Sequence, residues 1–156
     1  MYTNAQAITK FDGDTRFLSN FADSPLTYRS VSYLNAEAAF QAQKSRTPED
    51  FSALPPNEAK ARGRKVPLPY DWEEKKYNIM RDVVEAKFHQ NPDLARMLLN
   101  TGNKYLEEGN TWHDNIWGVC TCNKCKGRKG RNVLGYTLML VREELRYEMS
   151  VSSGDD

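Results

Sequence analysis

The sequence predicts an α+β domain that is mainly helical and has a few short strands near the N-terminus. In the first third, the segments AITKF and LTYRSVSY are rich in aromatic and β-branched residues, and the turn-rich segments DGD and ADSP flank them. From residue 36 onward, apolar residues recur at the three- and four-residue spacing of amphipathic helices. A chain of 156 residues is long enough to bury a core within one domain, which we place at residues 1–148.

Five segments are predicted to be helical. The first begins after Asn35, a good N-cap residue, and the second, PPNEAKARGRK, opens with proline, which suits a first helical turn. The longest covers residues 70–89, and NPDLARMLLNTG forms a further helix that stops at Gly102. The last covers residues 132–148, and the small, polar end of the chain predicts a disordered tail over residues 149–156. The segment RFLSNF in the first third is predicted to be an apolar, aromatic loop.

The overall charge is nearly balanced, so the chain as a whole is not a polyelectrolyte. The chain carries 22 basic and 21 acidic residues, a net charge of +1, so any affinity for nucleic acid must come from local patches. Basic residues cluster twice, and each cluster is either solvated surface or a phosphate contact. The clusters are Lys60, Arg62, Arg64 and Lys65, and then Lys124, Lys126, Arg128, Lys129 and Arg131.

The sequence also predicts the cellular compartment. The N-terminal segment lacks the apolar region of a signal peptide, and no stretch approaches the roughly 18 apolar residues of a membrane span. The three cysteines crowd into one segment, which is a poor disulfide framework and favours a reducing compartment. We therefore expect a cytoplasmic protein with no membrane partner, while the oligomeric state stays open.

Glu37 is the first candidate for chemistry, because it lies in the first turn of a predicted helix. A carboxylate there commonly does no more than complement the helix dipole. The same dipoles favour the ionised form, which is the form needed to face a cation that develops during a reaction. From its position alone, both interpretations are open.

Two tryptophans and one aspartate are further candidates. Trp72, at the start of a helix, suits either a core position or a stacking surface. Trp117 follows Asp114 in a polar D-N-I-W-G turn and is harder to place in a core, so its ring suits stacking on a flat heterocycle. Asp114 either takes part in chemistry or only caps this turn.

All three cysteines lie in a C-x-C-x-x-C run formed by Cys120, Cys122 and Cys125. With His113 they would supply the four ligands of a tetrahedral Cys₃His zinc site. The spacing is unusual, since most structural zinc sites place their ligands in two pairs across a longer loop. Buried free thiols that act as small apolar residues are the alternative.

Several segments in order resemble the NADAR family, also called YbiA-like. They are FLSNF, E-x-x-F-Q-A-Q-K from Glu37, A-R-x-x-R-K, D-W at Asp71 and Trp72, I-M-R-D-V-V-E-A-K-F, L-L-N-T-G, D-N-I-W-G and N-V-L-G-Y-T-L-M-L-V-R. The resemblance runs from about residue 9 to residue 146. It implies the YbiA-like fold and the activity of an N-glycosidase, which hydrolyses the bond between a ribose anomeric carbon and a nitrogen atom.

The resemblance also implies roles for individual residues. The helix-borne glutamate of the family corresponds to Glu37, its D-W tryptophan to Trp72, and its D-x-x-W-G residues to Asp114 and Trp117. We expect Glu37, Asp114 and Trp72 to be catalytic: Glu37 on the ribose side, Asp114 orienting water or a ribose hydroxyl, and Trp72 stacking. The expected substrate-binding residues, of which the basic ones would contact phosphate, are Arg16, Ser19, Asn20, Phe21, Gln41, Lys44, Arg62, Arg64, Trp117, Gly118 and Asn132.

The sequence departs from the family pattern in two places. Many relatives have histidine after the glutamate, in E-H-x-F-Q, whereas Ala38 and Ala39 stand here. A role that depends on that histidine is therefore absent, and Glu37 must do more alone or the substrate preference differs. The cysteine run occupies a position where shorter relatives have only a glycine-rich turn, so the core chemistry need not involve it.

Two substrate classes are implied for the family, ADP-ribosylated guanine in nucleic acid and the ribosylamino-pyrimidine intermediates of riboflavin synthesis. The basic run after Cys125 favours an ADP-ribose-containing substrate, such as ADP-ribosylated DNA. This chemistry requires no cofactor, and zinc would be structural. Two rivals remain from other classes: a non-catalytic module that binds ADP-ribose or NAD, and a zinc-dependent nucleic-acid-binding protein.

Overall fold

The computed structural model describes the backbone of residues 3–154 and the side chains of residues 6–152. The strands are β1 (Thr3–Ile8), β2 (Asp23–Tyr28), β3 (Val31–Asn35), β4 (Lys104–Leu106), β5 (Gly109–Asn110) and β6 (Val119–Cys120). The helices are α1 (Ala36–Ala42), α2 (Pro56–Gly63), α3 (Trp72–Gln90), α4 (Pro92–Asn100) and α5 (Val133–Gly154). The predicted α+β class, mainly helical with a few short strands, is confirmed.

The chain divides into two units, which we name the central unit (Asn20–Pro92) and the terminal unit (the residues before and after it). The central unit holds β2, β3 and the helices α1 to α3. The terminal unit holds β1, β4, β5, β6, α5 and nearly all of α4. The assignment of residues 1–148 to one domain stays a prediction.

In the central unit, β2 and β3 form an antiparallel hairpin in which Tyr28 pairs with Val31. The two residues between them, Arg29 and Ser30, have φ of 50° and 70°. Positive φ at both positions is the conformation of the tight turns that match strand twist, and such turns usually contain asparagine and glycine. LTYRSVSY therefore forms two strands and not the single strand segment expected from its sequence, in which the turn lacks its usual residues. The predicted turn at ADSP is also wrong, since β2 begins at Asp23.

Helix α1 begins where the sequence predicts. The side chain of Asn35 accepts a hydrogen bond of 2.7 Å from the backbone N–H of Ala38, and its amide group donates to the carbonyl of Leu54 at 3.1 Å. The cap thus satisfies one of the unpaired N–H groups of the first turn. All seven residues of α1 are buried. The helix is therefore held by its surroundings and not by its own length, which is too short for independent stability.

Helix α3 confirms the predicted apolar stripe. Ile79, Met80, Val83, Val84 and Phe88 are all buried, at no more than 5 % exposure. Each such side chain contributes on the order of 2 kcal/mol when it leaves water. Two lysines of the same helix, at positions 76 and 87, are buried as well. Their burial could not be predicted from the sequence, because lysine side chains normally stay in water.

In the terminal unit, β1 pairs with β4 in parallel, with a register irregularity between Thr3 and Ile8. Gln6, inside this strand, has φ of 61°, which breaks the regular pairing. A 3₁₀ turn over Gly13–Leu18 replaces part of the predicted RFLSNF loop. Gly102 has φ of 63° just after α4, as its predicted role as a helix stop requires.

Helix α5 buries Leu134, Leu138, Val141 and Leu145 at the predicted core spacing. It continues to Gly154, so the prediction of a disordered tail is wrong for residues 149–154. The hydroxyl of Ser150 donates to the carbonyl of Tyr147 at 2.8 Å, a bond that a serine makes within a continuing helix. The rest of the predicted tail, residues 155–156, lies outside the described residues.

Within residues 3–154, no helix combines the length and the apolar character needed to cross a lipid bilayer.

Candidate functional site

The central unit carries a buried carboxylate on α1. Glu37 is 8 % exposed, and its backbone N–H donates to the carbonyl of Asn20 at 3.0 Å. One turn further along α1, the side-chain amide of Gln41 donates to Glu37 Oε1 at 2.9 Å. Glu37 and Gln41 therefore lie on one face of α1. Burial of this carboxylate strengthens its interaction with any nearby positive charge, because little water screens the two charges.

Two buried amide oxygens lie on the residues bonded to Glu37. Asn20 Oδ1 and Gln41 Oε1 have no hydrogen-bond partner among the described residues. Asn20 uses its amide nitrogen on the sulfur of Met80, 3.3 Å away. An unsatisfied buried acceptor costs about 1–3 kcal/mol, and the described residues supply neither oxygen with a donor.

Helix α2 makes room for Gln41 at a glycine. A Cβ atom on Gly63 would lie 2.0 Å from Gln41 Oε1 and 2.7 Å from its carbonyl carbon. Real Cβ atoms do not approach other atoms so closely, so only glycine fits beside this side chain in its present position. Gly63 thereby lets Gln41 keep its hydrogen bond to the carboxylate of Glu37.

Lys44 and Trp72 lie beside each other in the same unit. The Lys44 ammonium is 5.5 Å from the centroid of the Trp72 ring, and that ring is 5.3 Å from the ring of Phe40. Burial lowers the pKa of Lys44, while the negative charge of Glu37 acts in the opposite direction. Trp72 is only 5 % exposed, which confirms a core position, and the adjacent cation gives its ring a polar neighbour.

The basic residues of α2 face different ways. Arg62 donates to the backbone carbonyl of Asp50 at 3.2 Å, and its guanidinium lies 6.0 Å from the ring of Phe51. Arg64, by contrast, acts electrostatically on Lys44 and lowers its pKa. Phe21 has the ammonium of Lys60 at 5.7 Å from its ring centroid. Of Arg62 and Arg64, two of the three arginines predicted to contact phosphate, Arg64 is therefore the one with an electrostatic connection to Lys44.

In the terminal unit, Asp114 caps a turn. Its Oδ1 accepts hydrogen bonds from the backbone N–H groups of Ile116 at 3.0 Å and Trp117 at 2.9 Å. The capping interpretation is thus confirmed. The catalytic role of Asp114 and the stacking role of the half-buried Trp117 stay predictions.

The side chain of Asn110 also stabilises this turn, and this role was not predicted from the sequence. Its amide nitrogen donates to the carbonyl of Asp114 at 2.8 Å. Its amide oxygen accepts from the backbone N–H groups of Trp112 and Asp114, at 3.3 and 3.2 Å. No spacing rule singles out an asparagine in the sequence EEGNTW, so only the folded backbone reveals it.

Gly118 and Asn132 have structural roles in the same unit. A Cβ atom on Gly118 would lie 2.1 Å from the carbonyl oxygen of Glu108. Asn132 is 1 % exposed, and its amide accepts from the N–H of Glu108 and donates to the carbonyl of Leu106. These contacts attach the start of α5 to β4. Contact of either residue with substrate stays a prediction.

The remaining predicted residues of the terminal unit lie next to the 3₁₀ turn. The backbone N–H of Ser19 donates to the carbonyl of Arg16 at 2.8 Å, and the Arg16 residue is exposed. The proposed contact between Arg16 and phosphate, like the substrate contact of Ser19, stays a prediction.

The cysteine loop, residues 109–132, brings four metal-ligand atoms together. The Nδ1 atom of His113 lies 3.9 Å from the sulfur of Cys120, 3.3 Å from that of Cys122 and 3.5 Å from that of Cys125. All four ligand atoms lie within 4.8 Å of one another. Residues Cys120 and Cys125 are buried. This group is the one set of residues in the described chain that is spaced for a metal ion.

Comparison with known proteins shows the family of this chain. A sequence profile of the NADAR domain matches residues 7–146. The chain belongs to the NADAR family. The resemblance that the sequence motifs suggest is therefore confirmed.

Relatives of this NADAR protein are N-glycosidases. It is 37 % identical over 143 residues to an N-glycosidase of Nostoc punctiforme, covering 86 % of this chain and 88 % of the relative. It is 36 % identical over 136 residues to the N-glycosidase YbiA of Escherichia coli, covering 83 % of this chain and 81 % of YbiA. A riboflavin biosynthesis protein of Vibrio vulnificus is 33 % identical over 141 residues, which cover 86 % of this chain and 37 % of that longer protein.

The fold is also that of a solved relative. The solution NMR structure of YbiA from Escherichia coli superposes with a TM-score of 0.78 at 33 % identity, over 95 % of this NADAR chain and 90 % of that one. The predicted YbiA-like fold is therefore confirmed.

Proposed function

We propose that this NADAR protein hydrolyses the bond between ADP-ribose and guanine in nucleic acid, with Glu37 as the catalytic carboxylate. The coarser activity, hydrolysis of an N-glycosidic bond, is supported by the names of its relatives. The observation that carries the residue assignment is the buried position of Glu37 on α1, hydrogen-bonded to Gln41.

The chemistry explains why a buried carboxylate is needed. When a bond between ribose and nitrogen breaks, its electron pair goes to the nitrogen, and positive charge grows on C1′ and O4′ of the sugar. A carboxylate in a site with little water stabilises this charge more strongly than a solvated one does. Gln41 fixes one oxygen of Glu37, so the carboxylate is oriented before substrate binds.

The full reaction consumes one water molecule. The water oxygen forms the new bond to C1′, and the proton that water gives up to Glu37 is passed on, directly or through solvent, to the departing nitrogen. Glu37 is then ionised again, and the base and a free sugar hydroxyl are the products. The unsatisfied side-chain oxygen of Asn20 is suited to accept a hydrogen bond from a ribose hydroxyl or from the attacking water. The backbone carbonyl of Asn20 accepts a hydrogen bond from the N–H of Glu37, which places the two residues next to each other.

Charge supports a substrate with a diphosphate. Burial lowers the pKa of Lys44 most, the negative charge of Glu37 raises it, and the positive charges of Arg64 and Lys76 lower it further. The positive charges of Arg64 and Lys76 close to Lys44 favour an anionic ligand, because binding it relieves their repulsion of Lys44. The pyrophosphate of ADP-ribose carries two negative charges close together, which suits such a cluster. The exposed basic residues of the cysteine loop, such as Lys124 and Arg128, add a surface suited to a nucleic-acid strand.

A second substrate has a specific observation in its favour. The relative from Vibrio vulnificus carries the name of a riboflavin biosynthesis protein. A ribosylamino-pyrimidine intermediate of riboflavin synthesis contains the same kind of bond, between ribose and nitrogen. The catalytic assignment of Glu37 would be unchanged for that substrate.

Parallel turnover assays test the proposal. The protein is incubated with an oligonucleotide that carries ADP-ribose on guanine and, separately, with the ribosylamino-pyrimidine, and products are identified by mass spectrometry. We expect release of ADP-ribose with restoration of intact guanine. Selective cleavage of the pyrimidine substrate would transfer the proposal to the second class. Binding of ADP-ribose by calorimetry, without release from either substrate, would contradict the enzymatic proposal and favour a binding module.

A further inference from the structure

We propose that His113, Cys120, Cys122 and Cys125 bind one structural zinc ion that closes the cysteine loop. The relatives' names assign no such site, and the proposed hydrolysis does not use it. The inference depends on the geometry of four side chains and on the chemistry of their ligand atoms.

The distances match a tetrahedral ion. Zinc binds thiolate sulfur at about 2.3 Å and imidazole nitrogen at about 2.0–2.1 Å, so a tetrahedral arrangement places nitrogen and sulfur about 3.6 Å apart. The three distances from His113 Nδ1 to the cysteine sulfurs are 3.9, 3.3 and 3.5 Å. They bracket the expected value, and all four ligand atoms fall within 4.8 Å of one another.

Hydrogen bonding alone does not account for this convergence. A ring nitrogen of histidine carries either one lone pair or one proton, so it makes one good hydrogen bond. Here three sulfur atoms surround the same Nδ1 atom of His113. A metal ion at the centre of the four atoms satisfies every one of them, with each thiol deprotonated and the imidazole neutral.

The donor set selects zinc over an iron–sulfur cluster. A two-iron cluster binds its protein ligands in two pairs on different iron atoms, and this spreads the pairs apart. The compact group described here fits a single ion. Three sulfurs and one nitrogen are a common ligand set of structural zinc, and four protein ligands leave no open position for a catalytic water.

The surrounding backbone supports the ligands. The N–H of His113 donates to the Cys120 sulfur at 3.3 Å, and the N–H of Cys120 donates to Asn115 Oδ1 at 2.9 Å. Cys122 and Cys125 lie in one turn, closed by a 3.1 Å bond from the Cys125 N–H to the Cys122 carbonyl. Such outer contacts orient metal ligands. His113 has φ of 70°, an unfavourable value for a non-glycine residue that metal coordination would help to maintain.

The local charge also suits the site. Zinc with three thiolates and one neutral imidazole carries a net charge of −1. The exposed lysines at positions 124 and 126 flank Cys125 in the sequence. Positive side chains next to an anionic metal centre reduce its charge imbalance.

The first test measures metal in the full-length protein, purified without chelator. Elemental analysis should give about one zinc per chain. Protein reconstituted with Co²⁺ should show the d–d absorption of tetrahedral cobalt with thiolate ligands. Removal of zinc by a strong chelator should lower the Tm by roughly 5 °C or more, with recovery when zinc is added back. Protein that contains no metal, takes up no Co²⁺ and keeps its Tm in chelator would overturn the proposal, as would a disulfide in the freshly purified chain.

Variants separate metal binding from general damage to the loop. Cys125→Ser should lose the metal. Because loss of a zinc ligand can also disturb folding of the loop, His113→Cys provides a conservative counterpart that should keep about one zinc per chain and change the cobalt spectrum to that of four sulfurs. Asn123→Ala, an exposed position between two ligands, is the matched control and should bind zinc like the parent protein. Equal zinc content in Cys125→Ser and Asn123→Ala would contradict the assignment of the ligands.

Discussion

Helix α1 and the cysteine loop both carry candidate functional residues, and they position them in different ways. On α1, the regular helix sets Glu37 and Gln41 one turn apart, and the buried helix fixes them both. In the cysteine loop, two polar side chains hold the backbone in place. Asn110 and Asp114 together make hydrogen bonds to the backbone of residues 112–117. Regular backbone therefore positions one site, and individual polar side chains position the other.

The difference teaches where single substitutions should act. A residue positioned by a helix can be changed in its chemistry while its neighbours stay in place. A residue that itself holds the backbone cannot be changed without losing that part of the structure. Activity and stability should therefore respond separately on α1 and together in the loop.

The largest expected effect is on α1. Glu37→Gln keeps the size and hydrogen-bonding capacity of the side chain but removes its charge, so kcat should fall by roughly 10²-fold or more. Turnover of the true substrate and Tm are measured together, and Tm should change little. Glu58→Gln is the matched control, since this glutamate also lies in the first turn of a helix but is exposed. Near-normal turnover by Glu37→Gln would remove Glu37 from the mechanism.

The next effect is in the cysteine loop. Asn110→Ala removes hydrogen bonds to two backbone N–H groups and one backbone carbonyl, all in partly buried surroundings. The free energy of unfolding should fall by about 2–3 kcal/mol, as measured by urea denaturation. Asn103→Ala, an exposed asparagine of the same unit, should change it by less than about 0.5 kcal/mol. Equal effects of the two variants would show that Asn110 does not hold the loop.

A third prediction concerns Lys87, a charged residue that the helical spacing of α3 places in the core. Burial lowers the pKa of Lys87 to about 7. Unfolded lysine titrates near 10.4, so from about pH 7 to pH 10 the unfolded chain binds more protons than the folded one. Stability from this group therefore rises with pH across that window, by up to about 1.4 kcal/mol per unit, and stays at its lowest level below pH 7.

The variant Lys87→Met should remove this dependence and stabilise the protein most at or below pH 7. Denaturation curves between pH 6 and pH 9 measure it, and the exposed Lys10→Met serves as the control that keeps the slope. If parent and variant curves run parallel across the whole window, Lys87 does not titrate as described.

The smallest effect concerns the hairpin turn, whose two positive φ angles are unusual for arginine and serine. Replacing Arg29 with asparagine and Ser30 with glycine fits the two positive φ angles. Stability should rise by about 0.5–1 kcal/mol, reduced by loss of the contact between Arg29 and the Tyr28 ring. Ser32→Gly, in the adjoining strand, should act in the opposite direction. A destabilised double variant would show that the ring contact outweighs the turn.

The elements that could be predicted from sequence are those with a repeated pattern. The apolar stripe of α3 and the cap at Asn35 follow from side-chain spacing and residue type, and both are confirmed. The short strands β4, β5 and β6 were not predicted, because two or three residues cannot show an alternation. The turn at Arg29 and Ser30 was missed because its backbone shape is imposed by the strands that it joins.

The candidate site divides in the same way. Glu37 and Gln41 share a face because helical spacing requires it, so their contact could be predicted. The unsatisfied oxygen of Asn20 and the positive charges around Lys44 depend on packing between segments far apart in sequence. Patterns within a short segment of sequence cannot predict which distant segments pack together, so these contacts are seen only in the folded chain.

The close approach of Gly63 to Gln41 links two positions that lie far apart along the chain. A side chain at position 63 needs the space that the Gln41 amide occupies, so the flexible Gln41 side chain must then move or be replaced by a smaller one. In its present position Gln41 keeps its hydrogen bond to Glu37 because residue 63 is glycine. In an evolving sequence these two positions are therefore expected to change together more often than independently.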